Sequence, residues 1–256
     1  YPYGYDDKKP HYKISPLVRD IKSNELYFTS TRNQATGEDI SGITGMKNGD
    51  IFCVRKDEKG RWKTPILVEG GLNTAYDEGA CCFSADGKMY LTVCPTDPTH
   101  PRMAEIWTSN RSDAKWSKAT KLKITEDTLS SYAHPCVSPD GNWLYFVSDM
   151  PGGFGGTDLW RAKLTGSEVG PIENLGSDVN SEGNEMFPTF RPTGELYYSS
   201  DGKGGLGGLD LFCALEDTLL NALAIKHLPA PMNSLGNDFG MTFEGFHNRG
   251  YFTSSR

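Results

Sequence analysis

Cys136-Val137-Ser138-Pro139-Asp140-Gly141-Asn142-Trp143-Leu144-Tyr145-Phe146 is an apolar run, a Pro-Asp-Gly turn and a second run rich in aromatics. Pro and Gly supply the dihedrals of a tight turn, and the flanking residues suit a half-buried pleated surface, so the stretch reads as a β-hairpin. The same grammar recurs at Cys82 to Leu91 (CFSADGKMYL) and at Thr189 to Tyr198 (TFRPTGELYY). Degraded copies run from Val18 to Phe28 and from Phe243 to Phe252.

The anchors Val18, Phe83, Val137, Phe190 and Phe243 are spaced by 65, 54, 53 and 53 residues. A second element follows each hairpin: an acidic residue, Ile or Leu, then an aromatic. It reads Asp50-Ile51-Phe52, Glu105-Ile106-Trp107, Asp158-Leu159-Trp160 and Asp210-Leu211-Phe212, with spacings of 55, 53 and 52. Two independent elements sharing one period mark a repeat architecture. The longer first interval is explained by a Gly-rich insertion, Gln34 to Asn48. A fourth strand is marked by Trp62-Lys63-Thr64-Pro65-Ile66-Leu67 and Trp116-Ser117-Lys118-Ala119-Thr120.

Four short strands in about 50 residues make one propeller blade. The expected fold is therefore all-β: one β-propeller domain over residues 1–256, built of four-stranded antiparallel blades. Five blades are counted, the fifth with only its first two strands, and a sixth is left open. An open ring would expose strand edges, so the natural protein is expected to continue past Arg256, or another piece to close the ring. Glu216 to His227 holds enough Leu and Ala to suggest a short helix; the repeat places a fourth strand at its end.

Composition narrows the function. Glycine at 29 of 256 residues implies many turns, hence many short strands. A formal charge of −7 disfavours nucleic acid, which needs a basic face. No run approaches the 18 or so apolar residues that cross a membrane, so no direct insertion by this domain is expected. The chain starts at Tyr1 without a recognisable leader and reads as a processed or excised piece. Cys53, Cys81, Cys82, Cys94, Cys136 and Cys213 form no CxxC pair and have no His at zinc spacing. Most sit in apolar runs, as small buried hydrophobes do.

Candidate chemistry is sparse. The loops Gly152-Gly153-Phe154-Gly155-Gly156-Thr157 and Gly204-Gly205-Leu206-Gly207-Gly208-Leu209 lead into strands, whereas a phosphate loop needs a helix N-terminus behind it. Calcium-binding GGxGxD repeats recur every nine residues or so, far more often than these. Glycines permitting a positive φ in a tight connection are the favoured reading. The recurring acids Asp50, Glu105, Asp158 and Asp210 appear once per blade, as a structural acceptor of backbone N–H groups would. No G-x-S-x-G elbow is present, and the five histidines form no H-x-x-x-H pair. No catalytic residue, metal or cofactor is expected.

The binding face follows from topology. The loop leading into a blade's first strand and the loop joining its second and third strands lie at one rim. The candidates there are Arg32, Tyr76, Tyr132, His134, Asp149, Glu185 and Asp201, with the Gln34 to Asn48 and Cys94 to Arg102 loops beside them. Loops held by a rigid scaffold are where function concentrates, and aromatics or arginine there would anchor a peptide or protein.

The SPDG-x-x-LYF-x-S hairpin followed by GGxGGxDLW, best seen from Ser138 to Trp160, resembles the PD40 (WD40-like) repeat, related to that of TolB-type propellers. Asn180-Ser181-Glu182-Gly183-Asn184-Glu185 is similar to the N-S-x-x-x-E segment of that repeat; 73–78 and 233–238 echo it. The flavour of the glycine loops resembles the propellers of OmpA-family lipoproteins of Bacteroidetes. Blades one and five depart from the pattern, at 20–24 and 244–248. In that family the propeller lies between a helical-repeat segment and a peptidoglycan-binding domain, neither of which is in this chain. The resemblance implies a periplasmic, outer-membrane-associated protein-interaction platform, a component of a secretion machine, that takes a protein or peptide at the loop face. Two other expectations stand beside it: a propeller that binds or degrades envelope polysaccharide, and a TolB-like translocation accessory.

Overall fold

The computed structural model describes residues 18–20, 25–31, 35, 48–95, 103–112, 115–217, 222–245 and 249–256. Every regular element among them is a strand. Blade 1 is β1 (Val18–Asp20), β2 (Glu25–Ser30), β3 (Asp50–Arg55) and β4 (Ile66–Leu67). Blade 2 is β5 (Asp77–Phe83), β6 (Met89–Cys94), β7 (Glu105–Ser109) and β10 (Thr120–Lys121). A small hairpin, β8 (Arg111–Ser112) with β9 (Lys115–Trp116), is inserted before its last strand. Blade 3 is β11 (Tyr132–Val137), β12 (Trp143–Ser148), β13 (Asp158–Thr165) and β14 (Glu168–Asn174). Blade 4 is β15 (Glu185–Phe190), β16 (Leu196–Ser200), β17 (Asp210–Asp217) and β18 (Ala222–His227). The pair β19 (Asp238–Phe243) and β20 (Gly250–Ser254) begins blade 5. The repeat thus gives four full antiparallel blades and a two-stranded fifth, and the Leu/Ala-rich 216–227 segment contributes strand rather than helix.

The core lies between blades, not within one. A blade's second and third strands are covered on both faces, so they read as near-continuous apolar runs rather than as alternation; β2 is buried at all six positions. Tyr27 and Ile51 of blade 1 meet Met89, Leu91 and Trp116 of blade 2. Ile106 meets Leu144 and Phe146 across the next junction, and Val147 and Leu159 meet Tyr198 and Phe212 across the third. The fifth unit closes against the first. Tyr251 of β20 packs on Trp62 with ring centroids 5.9 Å apart, and Lys56 Nζ lies 2.9 Å from Glu244 Oε1. β19 also touches β1 and β15. Among the described residues the ring holds four full blades and this two-stranded fifth unit.

Backbone bonds stitch the four junctions from blade 1 to blade 5 in the same way. The N–H at the start of a first strand donates to the carbonyl just before the third strand of the preceding blade. The pairs are Glu78 to Gly49 (2.7 Å), Tyr132 to Ala104 (2.9 Å), Glu185 to Thr157 (2.7 Å) and Asp238 to Leu209 (2.7 Å). One period in the sequence becomes one repeated hydrogen bond in space.

Candidate functional site

The polar residues of the repeat are used first to hold the ring. Asn180 accepts the Leu159 N–H at 2.8 Å and donates to the Leu159 carbonyl at 3.0 Å. Asn73 does the same to Ile51 (2.8 and 3.2 Å), and Asn233 to Leu211 (2.7 and 3.0 Å). The next residue closes a latch on the acid four positions on. Ser181 N and Oγ donate to Glu185 (2.8 and 2.5 Å), Thr74 N and Oγ1 to Glu78 (2.8 and 2.6 Å), and Ser234 N and Oγ to Asp238 (2.7 Å each). Burial pushes the Glu78 carboxyl well above its ordinary range. The second junction differs in kind: Asp127 stands where the others have Asn, Tyr132 stands where they have the acid, and Tyr132 Oη donates to Asp127 at 3.3 Å.

Two of the residues read from the sequence as rim contacts are therefore scaffold. Glu185 is fully buried and Tyr132 nearly so, because each ties a lead-in loop to a strand. Asp149 and Asp201 do reach the rim. Asp149 accepts the Ser131 N–H at 2.7 Å, and Asp201 accepts from Asn184 N and Nδ2 at 2.6 and 3.0 Å. Tyr76 is half-buried against the core of the first junction. His134 sits inside the ring, at the channel. Arg32 lies outside the described residues, as do most of the 34–48 and 94–102 loops.

The glycine loops are structural in the way the spacing suggested. Asp158 accepts Phe154 N at 2.7 Å and Gly155 N at 3.3 Å; Asp210 accepts Leu206 N at 2.5 Å. Each loop presses on the lead-in loop of the next blade. A methyl on Gly207 would meet Gly236 O and, at 2.6 Å, Ser234 O. Glu105 departs from this pattern and accepts from the Trp107 indole at 3.1 Å and from Lys121 at 2.5 Å. All six cysteines are free thiols, and only Cys94 is not fully buried.

This packing leaves apolar side chains standing outward at the loop face. Leu235 is 90% exposed, Leu129 72%, Met103 64%, Phe154 49% and Leu206 46%. Leu129 and Leu235 lie on lead-in loops; Met103, Phe154 and Leu206 lie on the loops between second and third strands. All five belong to the same rim. Leu206 precedes Gly207, which abuts the backbone of Leu235, so those two are neighbours. Exposed Glu182, Asp149 and Asp201 stand among them. Sequence reasoning ranked the polar residues above these. The available signal was a bulky apolar residue amid loop glycines and serines, where no buried strand needed one.

Inside the rim, the first strands line the channel. Each described one from β5 to β19 carries a register shift at equivalent places: Glu78/Cys81, Ala133/Cys136, Met186/Thr189 and Phe239/Thr242. At the bulges His134, Phe187 and Gly240 take left-handed φ angles of 48°, 54° and 64°. The His134 and Phe187 rings stack 3.9 Å apart, and Phe187 stacks on Phe239 at 5.1 Å. Burial holds the His134 imidazole down at about 3, hence neutral.

No family model matches the chain, and no curated protein does. Solved structures do match. A gluconolactonase from Xanthomonas campestris aligns over 94% of this chain and 82% of its own, with TM-score 0.54 and 15% identity. An α-L-arabinofuranosidase from Clostridium thermocellum aligns over 89% and 80%, with TM-score 0.50 and 14% identity. A protein of unknown function from Dyadobacter fermentans aligns over 87% and 67%, with TM-score 0.51 and 14% identity. At these identities the likeness is one of propeller fold, and it carries no chemistry across.

Proposed function

We propose that this propeller is a protein-interaction platform rather than an enzyme, and that it takes its partner on the loop face. The observation that carries the reading is five outward apolar side chains on the loops of one rim, Met103, Leu129, Phe154, Leu206 and Leu235, of which the last two adjoin. Single exposed leucines are ordinary, but five on one rim interspersed with charge favour an interaction surface. The interspersed Asp149, Glu182 and Asp201 favour a partner with basic groups around an apolar anchor. The acids Glu78, Glu185 and Asp238, which face the same rim by topology, are engaged in latches, and this too favours binding over catalysis.

The cellular setting rests on the repeat. Its glycine loops resemble those of OmpA-family lipoproteins of Bacteroidetes such as PorE of the type IX secretion system, and its N-S-x-x-x-E segments resemble the PD40 repeat. The proposal accordingly places the domain in the periplasm, attached to the outer membrane through other parts of its protein, as a component of a secretion machine.

The test is a comparison of baits. The chain and its Leu129→Glu/Leu235→Glu variant are cross-linked to envelope extracts, and bound material is identified by mass spectrometry. A protein partner held by the parent and lost by a variant of unchanged melting temperature is the expected result. An identical captured set for both baits, or turnover of envelope polysaccharide by the parent, would overturn the proposal.

A further inference from the structure

Three of the channel-lining strands pass through the left-handed region at the same bulge. In blade 5 that position is Gly240, which has no Cβ to clash. In blades 3 and 4 it is His134 and Phe187; such a φ is uncommon for any residue with a Cβ and a genuine outlier for one as bulky as Phe187. Each also precedes a proline, Pro135 or Pro188. A following proline pushes its neighbour toward extended backbone, so the conformation is disfavoured twice. Glycine would serve the backbone better at both places. What His134 and Phe187 add is a ring, and strain retained for a side chain points to what that side chain does.

The two rings, with Phe239, form a stack of three spanning the first strands of blades 3, 4 and 5, and each is only half-buried. The stack is fixed by hydrogen bonds. His134 N donates to Thr92 Oγ1 at 2.9 Å, and Phe187 N donates to His134 Nδ1 at 3.4 Å. Accepting there assigns the imidazole proton to Nε2, which has no hydrogen-bond partner among the described residues. The channel lining around the rings includes Ala80, Cys82, Cys136, Thr189 and Met241, with no charged side chain. The open space is about 40 Å³, enough for water-sized guests and too little for a ring. A ligand would lie across the stack rather than thread beneath it.

We propose that the His134–Phe187–Phe239 ledge is an anchor site for an uncharged aromatic residue of a polypeptide partner. The guest ring extends the stack, and a main-chain carbonyl of the same segment accepts the free Nε2–H of His134. A charged guest would be desolvated there without a counter-charge. A sugar would find one donor where it needs several partners. This rests on the platform reading above and deepens it: the ledge is the buried anchor, and the apolar crown surrounds it, as hot spots lie inside a ring of weaker contacts.

The test uses N-acetyl-L-phenylalaninamide as probe, with N-acetyl-L-glutamate amide and methyl β-D-glucoside as controls, titrated by ligand-observed NMR. Only the first is expected to bind the parent protein. His134→Gly and Phe187→Gly should each weaken its binding at least fivefold, yet melt at or above the parent temperature, because glycine relieves the strain. Binding without aromatic preference, stronger binding of the glucoside, unaltered binding in both variants, or lowered melting in both would overturn the proposal. Lowered melting would assign the rings to the scaffold. The small probe does not reach the crown, so its failure is separate from failure of the bait comparison.

Discussion

Asn180→Ala is the sharpest test of how the ring is held. Asn180 is 2% exposed and clamps both main-chain groups of Leu159, which is itself fully buried. Its Nδ2 also donates to Asn174 Oδ1 at 2.8 Å, but that oxygen keeps the Gly176 N–H at 2.8 Å. Alanine therefore orphans one buried donor, the Leu159 N–H, at a cost of about 1–3 kcal/mol; the Leu159 carbonyl keeps the Leu175 N–H at 3.1 Å. The expected loss is about 2 kcal/mol, a sizeable part of the roughly 5–15 kcal/mol that holds a domain together. At about 2–4 °C per kcal/mol for a chain of this size, melting should fall by about 4–8 °C. Asn180→Asp should not rescue, since a carboxylate can accept from Leu159 N but opposes its carbonyl. Urea titration followed by tryptophan fluorescence reads the loss as a lowered midpoint at unchanged slope. A change within about 0.5 kcal/mol, with Asn73→Ala and Asn233→Ala equally silent, would refute the clamp as the reason for the repeated Asn.

Other consequences can be measured the same way. Gly207→Ala should destabilise by about 1–3 kcal/mol, the usual cost of overpacking, because its methyl meets the carbonyls of Ser234 and Gly236; Gly87→Ala, with open space around it, should lose only what its φ of 89° demands. The hydroxyl of Tyr251, then Lys56, holds the Glu244 carboxyl down at about 2. A folded-state value below the unfolded one of about 4.3 gives stability that is present at neutral pH and lost as pH falls from about 5 toward 2. The closure of blade 5 on blade 1 should weaken over that window, and Glu244→Gln should flatten this part of the acid dependence in urea midpoints compared at pH 7 and pH 3. Asp158→Ala should free the Phe154 and Gly155 N–H groups, visible as faster amide hydrogen exchange confined to that loop.

Much of this molecule is written in its order of residues. The turn triplets, the acid–aliphatic–aromatic element and their common period gave the blade repeat and the ring architecture, because each blade must bury the same two faces against its neighbours; the β8–β9 hairpin, which takes Trp116 out of the expected fourth strand, has no counterpart in the repeat to announce it. The acids before the third strands were legible as acceptors of loop N–H groups, and Asp158 and Asp210 behave so. What a linear reading could not separate was the polar residue that holds a loop from one that faces a partner. Asn180, Glu185 and Asp201 look alike in the chain, yet the first two are buried and the third is exposed. Only the approach of one blade's loop to the next decides which carboxylate is consumed. The same holds for the channel: His134 and Phe187 are 53 residues apart, and nothing local announces that their rings stack. Period is a property of sequence, but contact between repeats depends on the curvature that closes them into a ring.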